Sequence, residues 1–186
     1  MEREGYSVDI IAEAEDPVKV WLDTEITPAI EESSTFLYEF SRLDLRDIDA
    51  SKEMLTKLIT LNYKLGLLYA DAIELKNEYQ TQCEEIYARV ILTLSGKNPN
   101  TDAKMTQESV KAAGELATSN VGAFSELFPS VARKLNLVPG EEPKRKYNTV
   151  SATAEKIKGI QRDMQESVNG IKHIGNRELQ HTIHGI

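Results

Sequence analysis

Two imidazoles stand three residues apart in His181-Thr182-Ile183-His184, a spacing that on a helix lets both reach one metal ion. No cysteine adjoins them and Gly185 follows at once, so the pair reads as a fraying helix end. His173, beside Lys172, belongs on a polar helix face. Phosphate chemistry would need clustered glycines ahead of a Gly-Lys-Ser or Gly-Lys-Thr step, whereas Gly114, Gly122 and Gly140 are scattered. Ser, His and Asp occur without a nucleophile elbow, and the paired acids Glu84-Glu85 fall on the solvent side of an apolar helical stripe. Cys83, the single cysteine, lies within that stripe and reads as a small core residue. These residues predict no catalytic centre, no metal and no cofactor.

One other stretch carries usable chemistry. Lys144, Arg145 and Lys146 precede Tyr147, and Lys156, Lys158 and Arg162 follow; residues 144–181 hold 8 basic and 4 acidic side chains. Cations neutralise phosphates and an aromatic ring offers a base a stacking face, which suits a single nucleic-acid strand. The same cations would equally serve as register pins against acids on a partner helix. Both readings stay open on sequence grounds.

Elements must position these groups, and the chain's composition says which kind. Its 186 residues are 40% hydrophobic but only 6% aromatic, an apolar set suited to helix seams. The net charge of −8 opposes a surface that coats nucleic acid throughout. It is unevenly spread: residues 1–96 carry net −11 and residues 97–186 net +3. One cysteine excludes an intrachain disulfide and suits a reducing cytosol. The polar Met1-Glu2-Arg3-Glu4-Gly5 start and the lack of a long apolar run predict no signal peptide and no membrane anchor.

The dominant periodicity runs Met54, Leu58, Leu61, Leu65, Leu68, Ala72, Leu75, Tyr79 at alternating spacings of four and three, then shifts to Cys83, Ile86 or Tyr87, Val90 and Leu94. It predicts a helix over 51–95, capped by Ser51 and stopped by Gly96 and Pro99. Val150, Ile157, Met164 and Ile171 recur every seven residues, with Ala154 and Val168 between them, and predict a second helix over about 148–180. The expected fold is all-α: a long antiparallel, coiled-coil-like hairpin, with a small helical insert at about 97–146 and an N-terminal arm.

Within residues 1–50, Pro17 interrupts any helix across 1–26, which predicts a weakly ordered arm; Thr27-Pro28 then opens a short helix at about 28–42. The hairpin domain occupies 51–186, with insert helices at Asp102–Asn120 and 130–136 and a linker at Pro139-Gly140-Glu141-Glu142-Pro143. Because single stripes cannot hide wide apolar faces, a homo-oligomer is expected, with Leu58, Leu61, Leu65, Leu68, Leu75, Ile157, Met164 and Ile171 as hairpin and oligomer core.

The helix LGLLYADAIELKNEYQTQCEEIYARVILTLSGK, a Thr-Asp-Ala-Lys-Met segment after it, and the closing helix IKGIQRDMQESVNGIKHIGNREL resemble bacteriophage proteins of the recombination-mediator type over about 51–105 and 150–179. The resemblance is one of layout. It implies a helical homo-oligomer in the host cytoplasm that binds single-stranded DNA and helps load a recombinase, with the 144–177 basic face as the DNA contact. The competing expectation is a virion or assembly protein whose long helices pack against copies of themselves or another subunit.

Overall fold

The computed structural model describes residues 16–44, 47–95 and 104–184, with Ile48 and residues 171–184 described as backbone only. Among the described residues every regular element is helical. In chain order these are α1 (Pro17–Trp21), a π-helical turn (Leu22–Ile26), α2 (Thr27–Phe40), α3 (Ile48–Leu94), α4 (Gln107–Ser119), α5 (Val121–Leu127), α6 (Pro129–Lys134) and α7 (Pro143–His184).

α3 and α7 form the antiparallel hairpin. Lys76 and Tyr79 lie beside Tyr147 and Lys146, while Asn62 meets Gln161, so numbers fall along α3 as they rise along α7. The 47 residues of α3 make a rod about 70 Å long at roughly 1.5 Å per residue. Its seam is consumed as the period predicts: Leu58, Leu61, Leu65, Leu68, Ala72 and Tyr79 are buried against Val150, Ala154, Ile157 and Met164, with Met54, Leu75, Ile160 and Val168 half-buried at the margins. Each leucine, isoleucine, valine or methionine among them contributes about 1.5–3 kcal/mol when fully removed from water. The side chain of Ile171 lies outside the described residues.

Residues 17–26 are helical and packed, which corrects the expectation of a loose arm; residues 1–15 lie outside the described residues. Pro17 opens the helix instead of breaking it. At the first helical position its missing N–H has no intrahelical partner to lose, and the Asp16 carboxylate caps the turn by accepting from the Val18 N–H at 3.1 Å. Val18, Ile26, Ala29 and Phe36 then enter the hairpin core. Thr27 is therefore not a helix start, and Pro28 sits inside a continuous helical path. Its ring would press on the carbonyl four residues back. The chain meets this with one wide turn, in which the Thr27 N–H donates to the Leu22 carbonyl, five residues back.

α3 also starts earlier than Ser51. Asp47 caps it, its carboxylate accepting from the N–H groups of Asp49 and Ala50, so part of the segment expected to be a connection is the first helical turn. Ser51 lies one turn inside, where its buried hydroxyl oxygen has no hydrogen-bond partner among the described residues.

The insert folds onto the far end of α3 around a second core. Val90 and Leu94 pack with Val110, Ala113 and Ala117 of α4, Phe124 of α5, Phe128, and Val131 and Ala132 of α6. α4 is shorter than expected, since Thr106 caps it; residues 102–103 lie outside the described residues. α5 has no counterpart in the periodicity because at seven residues it shows less than two full turns, yet Asn120 caps it at 2.9 Å from the Ala123 N–H. α4 approaches α3 at Gly114, where a Cβ would stand 2.7 Å from the Tyr87 ring, so only a glycine permits this contact. α6 ends in a left-handed Asn136, with the Leu137 N–H returning to the Ala132 carbonyl at 3.0 Å. α7 then begins at Pro143 rather than near 148, which makes Lys144, Arg145 and Lys146 its first turn.

Candidate interaction surface

Among the described residues, the groove between α3 and α7 is covered on one flank along its middle. α2 lies there, bringing Phe36, Phe40, Ile30 and Leu37 to the core and joining Glu32 to Lys64 at 2.8 Å. α1 covers the same flank further along, with Trp21 near Leu75 and Asp16 beside Lys146. On the opposite flank Gln161 meets α3 directly, its Nε2 lying 3.5 Å from the Asn62 carbonyl and 3.6 Å from where a Cβ of Gly66 would stand.

This arrangement divides the basic set. Lys146 turns inward: its side chain is 20% exposed, its Nζ is 3.8 Å from Asp16 and it lies 5.9 Å from the Tyr79 ring centre. Burial raises the Tyr79 phenol above its ordinary value, with smaller contributions from Glu78 and Asp16. Tyr147 is half-buried against the hairpin core, with Lys144 Nζ 4.7 Å and Lys76 Nζ 5.9 Å from its ring centre. It is thus packed between cations and does not stand free as a stacking platform. Arg145, Lys156, Lys158 and Arg162 are exposed and make no ion pair among the described residues. At about 100° per residue, Lys144, Lys158 and Arg162 share one flank, while Arg145 and Lys156 lie about 100° or more away.

A cavity of about 450 Å³ opens where α3, α4 and α7 meet, lined by Cys83, Glu84, Tyr87, Glu115 and Lys144 among others. Burial pushes the Cys83 thiol up, Lys144 partly opposes this and Glu84 adds to it, which keeps the sulfur protonated and a weak nucleophile. The hydroxyls of Thr118 and Ser119 on its wall donate to the Glu115 carbonyl. Among the described residues no group of His, Cys, Asp and Glu could hold a metal, and no helix is long and apolar enough to cross a membrane. The side chains of His173, His181 and His184 lie outside the described residues.

The most distinctive surface was missed by reading the seam alone. Leu55, Ile59, Tyr63 and Leu67 form an i, i+4 row on the outer face of α3, and the last three are 61%, 69% and 52% exposed. Single exposed apolar side chains are ordinary, but a row of four on one helix is not. The signal is legible in the residue numbers as a second stripe, hidden by the stronger seam beside it. No family model, curated protein or solved structure matches the chain.

Proposed function

We propose that this chain is a non-enzymatic helical scaffold that works by self-association through the open face of its hairpin. The exposed α3 row carries this reading. A 47-residue helix whose inner stripe is satisfied within the chain keeps a second apolar stripe in water, which costs solubility unless another helix covers it. In multi-angle light scattering at roughly 100 μM, where even a weak complex forms, the protein is expected to be oligomeric. Ile59→Asp should yield monomers with unchanged helical circular dichroism, because substitutions at exposed positions typically shift stability by only about 0.5 kcal/mol. A monomeric wild-type protein at that concentration would defeat the reading.

A second reading, weak binding of single-stranded DNA in the manner of a recombination mediator, is favoured by Lys144, Lys158 and Arg162 lying on one flank of α7. Lys158 and Arg162 are one turn, roughly 6 Å, apart, near the spacing of successive phosphates on a strand. Three phosphate contacts would give a log–log salt slope of about −2, at roughly −0.7 per contact. Charge reversal of all three should abolish retention on single-stranded DNA for every sequence alike. Failure of the wild-type chain to be retained at low salt removes this reading and leaves the scaffold reading intact.

A further inference from the structure

The outer face of α3 has a symmetry of its own. Lys52, Thr56, Ile59, Tyr63, Leu67, Ala70 and Glu74 are all exposed. Their spacings of four, three, four, four, three and four keep the line almost parallel to the helix axis for about 33 Å. About Tyr63 the line is a chemical palindrome. Ile59 mirrors Leu67, Thr56 mirrors Ala70, and the cation Lys52 mirrors the anion Glu74.

We propose that two copies of the chain pair antiparallel along this line, with the two-fold axis passing through Tyr63. The proposal rests on the scaffold reading and fixes its occupant and register. A two-fold interface requires that a patch complement itself, residue i meeting j while j meets i. In this register Ile59 of each copy covers Leu67 of the other, the Tyr63 rings meet at the centre, and the small Thr56 and Ala70 let the helices stay close. Lys52 and Glu74 form a charge pair at each end. A slip by one turn one way would place Ile59 against Tyr63 but set Lys52 against Ala70, so that it meets no acid of the other copy; a slip the other way would give Lys52 a new acid in Glu78 but press the apolar Ile59 against the exposed carboxylate of Asp71. These charges therefore select the register, as flanking charges do in paired helices. α2 borders this line at Thr56, and Trp21 and Glu25 border it at Glu74, while its central members Ile59, Tyr63 and Leu67 stand 61%, 69% and 52% exposed and open to a partner helix.

The test uses the full chain carrying Cys83→Ser, so that no native thiol competes. Helix axes about 8–10 Å apart, with Cα atoms about 2.3 Å from each axis, bring two facing positions within disulfide reach. Tyr63→Cys is expected to form a disulfide-linked dimer under mild oxidation. Ile59→Cys alone should not, but should cross-link to Leu67→Cys when the two are mixed. Independently, Lys52→Glu and Glu74→Lys should each weaken the dimer roughly tenfold, since each replaces two attractive end pairs by two repulsive ones. The double exchange should restore it. A dimer that is broken by Ile59→Asp, yet neither cross-links through Tyr63→Cys nor recovers in the double exchange, overturns the register and leaves the scaffold reading standing. A monomeric wild-type chain overturns both.

Discussion

Leu65→Asp is expected to abolish the folded hairpin. Leu65 is 1% exposed at the middle of the α3 seam, within the cluster that includes Ile157, itself 0% exposed. A carboxylate placed there loses its water and finds no cation, since the neighbouring seam positions are apolar on both helices. Adding the lost leucine contacts, the cost is about 5 kcal/mol or more, comparable with the whole stability of an ordinary domain. Circular dichroism should show most of the helical signal and the cooperative melt gone at room temperature. Leu67→Asp, two residues on, supplies the control: its side chain is 52% exposed, so that variant should keep its helical signal and a cooperative melt, lowered only by the lost association. A native-like melt for Leu65→Asp would mean that the seam is not the principal source of stability.

The second large effect concerns the insert. Phe124 is 0% exposed and stacks at 5.2 Å, centre to centre, on Phe128 within a core whose members are distinct from those of the hairpin. Phe124→Ala removes the largest fully buried side chain there and should cost about 3–5 kcal/mol. Because this core touches the hairpin chiefly through the last turns of α3, the damage should stay local. Hydrogen exchange should show lost protection over 107–134 and the end of α3, while the amides of Leu58–Ala72 and Val150–Met164 stay slow. Equal loss of protection along the whole chain would show that the two cores fold as one unit.

Much of this architecture was legible beforehand, and the reason is periodicity. A seven-residue repeat sustained over Met54–Tyr79, answered by Val150–Met164, leaves each helix one apolar stripe and only another helix to hide it. Element ends were less legible. Pro17 and Pro28 are the same residue type with opposite settings: one opens a helix, the other sits inside one and is relieved by a π turn. Pattern alone does not separate these cases, because the outcome depends on whether the surrounding residues are held in a core. Ser51 had the composition of a cap, but Asp47 offered a better-placed acceptor one turn earlier. α5 was invisible because seven residues show too little of a 3.6-residue period.

For the surface, the residue order determined which side chains are available and the tertiary structure decided which of them face water together. The 144–147 run reads as one basic cluster with an aromatic neighbour. Folding α7 from Pro143 sends Lys146 to Asp16, Tyr147 to the core, Lys144 to one flank and Arg145 round the helix, because successive residues on a helix point about 100° apart. Likewise the two stripes of α3 are both present in its sequence, and although the longer repeat marks the Leu58–Tyr79 stripe as a seam, nothing local ranks the shorter stripe beside it as covered or bare. That ranking came from α2 and α7, which together cover the Leu58–Tyr79 stripe and leave Ile59, Tyr63 and Leu67 in solvent, since a helix about 10 Å across can be packed on one side while its opposite side remains bare.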